Sequence, residues 1–423
     1  MIKELTLQNF RGFKKYYTEF DSCFNVVIGN NGTGKTTIID AVAIMASSLF
    51  AGIDKRNARG IAYEDIRIQS FESNIELQLP CSLEGILHFN DISFEVNRIR
   101  EKEKGRTKLI GNGPSIKEYA SELQENVREN NKVNLPVFAY YSTLRLGKDK
   151  KTSYTTSPKS SRFDGYNNAT EAKPIGNGFI RWMKTQELGA LQKSIEPTSL
   201  NLIKQIILNF LDNAKNIYFD VVEDDLMLER FNANHQYERL PWYALSDGYR
   251  NIISIAADIA IRCIKLNPHL KAEAASKTQG IVLIDEIDQH LHPQWQKTIV
   301  SSFKKSFPCI QFIATTHSPI IIQSLKNEEL IDLEGKDMQV DYINKGIEEI
   351  LENEMQVDNP RRSKMYLRKL KAAEDYYKIL EHRTNNKLVE GIDADEKLRE
   401  LEIEFRDDPA YVALLKSESK SKL

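Results

Sequence analysis

The sequence predicts an α/β fold with a parallel core and an antiparallel sheet, interrupted by a helical insert and followed by a helical C-terminal region. Three observations predict it. A glycine-rich loop at residues 29–37 stands between an apolar run and a helix-like stretch. Two continuous apolar runs, Ile281–Ile284 and Ile310–Ala314, are separated by a helical stretch, a pattern typical of buried parallel strands. Short alternating runs between residues 75 and 96 indicate antiparallel strands.

The glycine-rich loop carries the strongest functional signal. It follows the predicted strand Phe24–Ile28 and precedes a predicted helix that runs to about Phe50. Glycines allow backbone N–H groups to turn toward a phosphate chain, and the helix adds the positive end of its dipole. The flanking strand and helix disfavour a chance match, so the loop is predicted to bind ATP. The residues assigned to this role are Asn30, Asn31, Gly32, Thr33, Gly34, Lys35, Thr36 and Thr37.

An acidic pair, Asp285 and Glu286, directly follows the apolar run Ile281–Ile284. A carboxylate at the end of a buried strand is costly unless it meets a cation. Asp285 is therefore predicted to bind Mg²⁺ together with the hydroxyl of Thr36. Glu286 is predicted to polarise the attacking water as a base or a positioning group. A pair of helix-capping residues is the structural alternative.

Because of this acidic pair, two other segments become candidate parts of the same site. His317 follows the next predicted strand, where a histidine can sense and stabilise the charge of a γ-phosphate. Ser246, Asp247 and Gly248 stand just before a predicted helix, which is an anion-binding arrangement. Taken alone, the histidine would be an ordinary loop residue and the serine a simple N-cap.

The composition of the chain excludes some classes of function. The chain has 423 residues, of which 41% are hydrophobic and 28% charged, so it can form two or three folded domains. A net charge of −2 excludes a uniformly basic nucleic-acid coat. The four cysteines have neither metal-ligand nor redox spacing, which fits reduced thiols and a cytoplasmic location. Because no signal-peptide core or membrane-length apolar run is recognised, no membrane partner is expected.

The chain is predicted to divide into a head at residues 1–330 and a helical C-terminal region at residues 331–423. The head contains an insert at about residues 100–215, in which Thr198–Ala214 has helical periodicity. Residues 147–176 are rich in polar residues and are predicted to form a long exposed loop. Two highly charged helical stretches, at residues 361–383 and 395–406, follow in the C-terminal region, with another short helix after Pro409. This region is a candidate segment for oligomerisation or partner docking.

In this order, the motifs resemble those of the ABC-type ATPase heads of the SMC, RecF, Rad50 and OLD group, and the opening Ile2–Phe13 is similar to the start of such heads. The resemblance implies an ABC-ATPase head that forms a homodimer around two ATP molecules, with larger homo-oligomers left open. It implies that Ser246 and Gly248 contact the γ-phosphate held by the partner subunit, as part of the signature Ser246–Gly248. It also implies that Arg11 approaches the triphosphate and that Asp288–His292 is the D-loop region.

The signature departs from the usual Leu-Ser-Gly-Gly-Gln of this family. Asp247 replaces the first glycine and Tyr249 the glutamine. This departure weakens a comparison with transporter ATPases and suits the RecF-like and OLD-like branch.

Softer motifs are similar to those of stand-alone ATPases of bacterial antiphage systems, above all the Septu ATPases. They are Pro136–Arg145, Arg162–Tyr166, Leu245–Arg250 and Glu286–Pro293. This resemblance implies a PtuB-like HNH nuclease as partner and nucleic acid as the target of the complex. A RecF-like repair ATPase that binds DNA without a nuclease partner, and a self-contained OLD-like nuclease, stay open as alternatives. Nuclease activity is not expected within this chain, because its last hundred residues read as helices rather than as strand ends bearing metal-binding carboxylates.

Overall fold

The computed structural model describes residues 1–71, 74–111, 115–145, 161–171, 175, 178–193, 197–232, 234–334, 344–353, 355, 362–384, 394–406 and 408–421. The chain divides into two compact units, Met1–Ile350 and Leu351–Leu423. The predicted division after residue 330 would cut a strand that pairs within the first unit.

The strands are numbered in chain order. The first eight are β1 Ile2–Phe10, β2 Phe13–Glu19, β3 Phe24–Ile28, β4 Ile68–Phe71, β5 Asn74–Leu77, β6 Cys81–Phe89, β7 Ile92–Arg100 and β8 Lys108–Ile110. The others are β9 Val137–Tyr141, β10 Ala214–Asp220, β11 Asp225–Phe231, β12 Tyr237–Pro241, β13 Gly280–Ile284, β14 Ile310–Thr315 and β15 Leu330–Asp332.

The α-helices are numbered in the same way. The first seven are α1 Lys35–Ala46, α2 Ile116–Arg128, α3 Gly178–Lys193, α4 Thr198–Leu208, α5 Asp247–Leu266, α6 Ala274–Lys277 and α7 Pro293–Gln296. The others are α8 Ile299–Ser306, α9 Pro319–Gln323, α10 Ile347–Asn353, α11 Lys364–Thr384, α12 Ala394–Glu404 and α13 Pro409–Ser421.

A five-stranded parallel sheet forms the core of the first unit, in the order β15-β3-β14-β13-β9. Its strands are mostly apolar and are buried along their whole length, as the continuous apolar runs predict. Because the neighbouring strands are parallel, β3, β13 and β14 all end at the same edge of the sheet. The glycine-rich loop, the acidic pair and the segment before His317 therefore leave the sheet side by side.

Besides the two-stranded sheet of β4 and β5, two larger antiparallel sheets accompany the core among the described residues. The larger has the order β2-β1-β6-β7-β8, and β6 and β7 confirm the alternating runs seen in the sequence. The smaller has the order β10-β11-β12. The apolar runs Tyr218–Val222 and Leu226–Phe231 in the sequence indicate a hairpin around residues 223–225. The structure confirms it, with Asp220 opposite Asp225. The third strand, β12, was not predicted, because only Leu240 and Tyr237 give it an apolar pattern among polar neighbours.

The helix after the glycine-rich loop lies deep in the first unit. It continues from α1 into a 3₁₀-helix at Ser47–Gly52. Among the described residues, the window Lys35–Gly52 is long and apolar enough to cross a membrane by length and composition, and 83% of it is buried inside the protein. Burial of this kind is what the central helix of a folded domain shows. The window reaches this length because it joins α1 with the 3₁₀-helix that follows it.

The insert is not purely helical. Within the predicted range of about residues 100–215, β9 forms one edge of the parallel core sheet. The helix predicted over Thr198–Ala214 ends at Leu208, since Ala214 already begins β10. Of the loop predicted at 147–176, residues 147–160, 172–174 and 176 lie outside the described residues, but Arg162–Tyr166 forms a 3₁₀-helix in which Tyr166 is buried.

The second unit contains α11 and α12, as the two charged helical stretches predict, and α13, which is the short helix predicted after Pro409. Its small core is formed by Tyr376, Leu401, Phe405 and Leu415. The hydroxyl of Tyr411 donates a 2.5 Å hydrogen bond to the carbonyl oxygen of Lys369, which ties α13 to α11.

Candidate functional site

The glycine-rich loop closes directly onto the amino end of α1. Gly34, the N-cap of α1, has φ of +106°, a conformation that side chains disfavour. A Cβ at Gly34 would lie 2.6 Å from Cε2 of Phe13. The hydroxyl of Thr33 donates a 2.9 Å hydrogen bond to the carbonyl oxygen of Asn30. The loop is thus tightly turned, with Asn30, Asn31 and Gly32 exposed at its tip and Thr37 buried beneath it.

Lys35 provides the cationic group of the loop. Its Nζ donates to the carbonyl oxygens of Gly29 at 2.7 Å and Asn30 at 3.0 Å. Burial lowers the pKa of Lys35, and the nearby carboxylates of Asp285 and Glu286 oppose that shift. The ammonium group therefore lies over the carbonyl groups of the loop and within the field of the acidic pair.

Thr36 and Asp285 are brought together from opposite ends of the sequence. The Thr36 hydroxyl lies 3.2 Å from Oδ2 and 3.4 Å from Oδ1 of Asp285. Thr315 donates a 2.6 Å hydrogen bond to Oδ1 of Asp285, which is buried. A hydroxyl and a carboxylate are the hard oxygen ligands that Mg²⁺ prefers, and the ion normally takes its other ligands from water and phosphate. The pair therefore fits the predicted magnesium site.

Glu286 has a strained backbone. Its φ is +49°, a left-handed conformation that costs a non-glycine residue about 1–2 kcal/mol. Two hydrogen bonds to Thr315 fix this conformation. The N–H of Glu286 donates to the Thr315 hydroxyl at 2.7 Å, and the N–H of Ile287 donates to the Thr315 carbonyl oxygen at 2.9 Å. The strain places a half-exposed carboxylate at the end of β13, next to Asp285.

Arg145, the last residue of the motif Pro136–Arg145, contacts the backbone of the acidic pair, a role that its sequence pattern does not predict. It is 1% exposed. Its Nη1 donates to the carbonyl oxygen of Asp285 at 2.6 Å and its Nη2 to that of Glu286 at 2.7 Å. The available signal was the position of Arg145 shortly after the buried strand β9. Because β9 pairs in parallel with β13, the carboxyl ends of the two strands lie side by side.

The segment around His317 is tied to the D-loop region. Asp288 accepts hydrogen bonds from the Thr316 hydroxyl at 2.5 Å and from the His317 N–H at 3.3 Å, both through its Oδ1 atom. The His317 backbone thus follows β14 at the same sheet edge as the acidic pair. Its contact with a γ-phosphate stays a prediction.

The signature residues stand at the amino end of α5. Ser246 occupies the N-cap position, but its hydroxyl makes no capping hydrogen bond, and both it and Asp247 are exposed. Gly248 is buried, and a Cβ there would lie 2.5 Å from the carbonyl oxygen of His290. Tyr249 packs edge-to-face on Trp295, with 4.4 Å between the ring centroids. The signature turn and the D-loop region are therefore in direct contact within one chain.

Arg11 lies in an ion-pair network. Its guanidinium contacts Asp40 and Asp65, each at 2.7 Å, and Asp40 also pairs with Arg59 at 2.8 Å. The ion pairs of Arg11 are thus with a carboxylate on α1 and with one in the 3₁₀-helix Tyr63–Asp65. Its contact with ATP stays a prediction.

Comparison with known proteins places the chain in a family. The model of the family described as "AAA domain, putative AbiEii toxin, Type IV TA system" matches residues 24–323, more than half of the chain. The chain is similar to the Septu protein PtuA of Bacillus thuringiensis, with 27% identity over 409 residues that cover 92% of each protein. It is also similar to the protein named "Retron Vc95 probable ATPase" of Vibrio cholerae serotype O1 biovar El Tor, with 26% identity over 78% of this chain and 72% of that relative.

Among solved structures, the SMC head bound to the C-winged helix domain of ScpA matches 77% of this chain and 92% of that chain, with a TM-score of 0.47 and 16% identity. The match across residues 24–323 includes the glycine-rich loop, the acidic pair, the signature turn and His317. This chain belongs to the AAA-domain family so described, and it is an ABC-type ATPase of the SMC, RecF and Rad50 group.

Proposed function

We propose that this chain binds and hydrolyses ATP as one half of a homodimer and that it regulates a PtuB-like HNH nuclease in antiphage defence. One observation carries the ATPase assignment. The Thr36 hydroxyl, at the amino end of α1, lies 3.2 Å from the carboxylate of Asp285 at the end of β13, and the constrained Glu286 is the next residue. A phosphate loop, a metal-binding carboxylate and a candidate base thus converge at one sheet edge.

Each side chain at this edge has a distinct role in the proposed reaction, in which ATP and water give ADP and phosphate. Lys35 orients the β- and γ-phosphates, while Thr36 and Asp285 hold Mg²⁺. When bound, the ion neutralises charge on the phosphate oxygens. Glu286 orients the attacking water and accepts its proton. His317 stabilises the charge of the γ-phosphate.

The homodimer completes each site. Ser246 and Asp247 are exposed at the amino end of a twenty-residue helix, where backbone N–H groups and the helix dipole favour an anion. In the proposed dimer, this turn contacts the γ-phosphate bound by the facing copy. ATP then favours the closed dimer because its affinity is higher when both surfaces bind it.

The defence assignment is supported by the relatives, one of which is a Septu protein and another a retron ATPase. In this proposal the ATP-dependent closure of the head regulates the nuclease, whose target is nucleic acid. The α11–α13 unit is the candidate docking or oligomerisation segment, and the complex works in the cytoplasm.

The shared site is tested by mixing two inactive proteins. Lys35→Ala and Ser246→Arg are each expected to lose ATP turnover, the first through its own loop and the second through the facing one. In a mixed dimer, the intact loop of one copy meets the intact signature of the other. If the sites turn over independently, an equal mixture should regain about a quarter of the wild-type rate. The steady-state ATPase rate is measured as a function of the mixing ratio.

The control replaces Ser246→Arg by Lys215→Ala, a change at an exposed lysine on β10. Mixed with Lys35→Ala, it should give a rate that simply scales with the amount of active protein. If ultracentrifugation shows mixed dimers of the two inactive variants but no turnover returns, the shared site is contradicted.

The nuclease partner is tested by co-expressing the chain with the small protein encoded beside it, if that protein has His-Asn-His nuclease spacing. The two proteins should co-elute, and cleavage of nucleic acid should require the small protein. Metal-dependent cleavage by the pure chain would instead favour a self-contained nuclease. ATP-dependent, salt-sensitive DNA binding by the pure chain, without co-elution, would favour a RecF-like repair factor.

A further inference from the structure

Arg145 is a buried guanidinium with a position that the proposed reaction leaves unexplained. It is almost fully buried, and its hydrogen bonds go to neutral oxygens rather than to a carboxylate. Burial lowers the pKa of Arg145 to about 10. Burying a cation in this way is unfavourable unless its hydrogen bonds are satisfied. The burial of this cation therefore indicates a specific role for Arg145 at this position.

The hydrogen bonds of Arg145 converge on the backbone of the acidic pair. Two nitrogens of the planar guanidinium reach the consecutive carbonyl oxygens of Asp285 and Glu286, at 2.6 and 2.7 Å. A planar group with fixed donors can set the orientation of two successive peptide groups, which a lysine cannot do. These are the peptide groups on either side of the left-handed Glu286. Arg145 thus fixes the direction in which the Glu286 side chain leaves the backbone.

The third side of the guanidinium contacts the helix that carries the signature. Its Nε donates at 2.8 Å to Oδ1 of Asn251, which lies on α5 and is 1% exposed. The amide nitrogen of Asn251 donates at 2.9 Å to the carbonyl oxygen of Gln289, in the D-loop region. Asn251 lies one helical turn after the signature residues. A buried hydrogen-bonded bridge therefore connects the signature helix, Arg145 and the backbone of Glu286.

We propose that Arg145 is a positioning residue, which acts on ATP hydrolysis through Glu286 and makes the position of Glu286 depend on α5 through Asn251. This inference rests on the proposed role of Glu286. In the dimer, the amino end of α5 contacts the facing copy's ATP, so the bridge connects the two nucleotide sites. ATP bound at one site then alters the position of the catalytic carboxylate at the other site.

The test compares the kcat for ATP hydrolysis with the Kd for ATP in the full chain. Arg145→Gln should lower kcat by about 10–100-fold and leave Kd within about twofold, because misplacement of a catalytic group affects the reaction more than binding. Arg145→Lys keeps the charge without the planar fork and should recover only part of the rate. Asn251→Leu removes the link to α5 and should also lower kcat with Kd unchanged.

A double substitution separates positioning from a general loss of stability. If Arg145 acts through Glu286, then Arg145→Gln adds nothing, within about twofold, to the kcat of Glu286→Gln. The matched control is Arg162→Gln. Arg162 also donates to backbone carbonyl oxygens, of Leu266 at 2.7 Å and Val133 at 2.6 Å, in a different part of the first unit. This control should lower the Tm and retain kcat.

The outcomes distinguish this inference from the proposed function. Suppose that Glu286→Gln slows turnover but the kcat of Arg145→Gln equals that of the control Arg162→Gln. The positioning role of Arg145 is then overturned, while the proposed function stands. A parallel loss of kcat and ATP binding in Arg145→Gln, or a double variant whose losses multiply, also overturns the positioning role. If Glu286→Gln leaves turnover unchanged, the proposed catalytic assignment falls first.

Discussion

Glu286→Gln is expected to lower the kcat for ATP hydrolysis by about 10²–10⁴-fold, because glutamine cannot accept the proton of the attacking water. The substitution is nearly isosteric, and the hydrogen bonds that hold Glu286 involve its backbone rather than its carboxylate. The loop, Thr36 and Asp285 are unchanged. ATP binding should therefore be retained, and the protein should accumulate as an ATP-bound closed dimer.

The measurement combines single-turnover hydrolysis with size analysis at saturating ATP. Glu125→Gln is a suitable control, since it makes the same chemical change at an exposed position on α2. It should retain the wild-type kcat and the wild-type monomer–dimer distribution. Unchanged turnover in Glu286→Gln would remove this residue from the catalytic role.

Lys35→Ala is expected to abolish tight nucleotide binding, with a loss of about 100-fold or more in Kd. Charge-assisted hydrogen bonds are each worth about 1.5–3 kcal/mol, and Lys35 is predicted to make several to the phosphates. The fold should be retained, because the side chain bonds only to loop carbonyl oxygens. Binding is measured by titration with a fluorescent ATP analogue, and Lys215→Ala serves as the exposed-lysine control. Wild-type affinity in Lys35→Ala would contradict the loop's role.

Lys35 also gives the binding a defined pH dependence. Burial lowers the pKa of Lys35, so the ammonium group loses its proton at a lower pH than an ordinary lysine does. As pH rises, the loss of charge should weaken ATP binding before exposed lysines titrate. In the Lys35→Ala protein, this alkaline decrease in affinity should be absent.

The position of Thr36, Asp285 and His317 at one sheet edge could be predicted from sequence because each comes after an apolar strand. Thr36 and Asp285 are far apart in the chain, yet the continuous apolar runs imply parallel strands whose ends meet at one sheet edge. The structure places the two side chains within 3.2 Å. Glycine spacing likewise indicated the tight turn at Gly34, where φ is positive.

Arg145 could not be predicted in the same way. A single arginine after a buried strand has no periodicity or spacing that separates it from a surface residue, and its role depends on a long-range contact with Asn251 and the backbone of Glu286. The limits of the insert could not be predicted from the sequence pattern either. Strand β9 belongs to the core because it pairs with β13. Such pairing is a tertiary property that local propensity does not encode.

The close contact between Gly248 and the carbonyl oxygen of His290 has a consequence for how a second copy would be recognised. There is no room for even a methyl group between these two backbones, so the start of α5 cannot move closer to the D-loop region. The 2.9 Å hydrogen bond from the Asn251 amide to the Gln289 carbonyl oxygen holds the two segments together. A facing molecule therefore meets a single preformed edge and engages both segments or neither. Variants selected for a new pairing preference would have to alter both segments together.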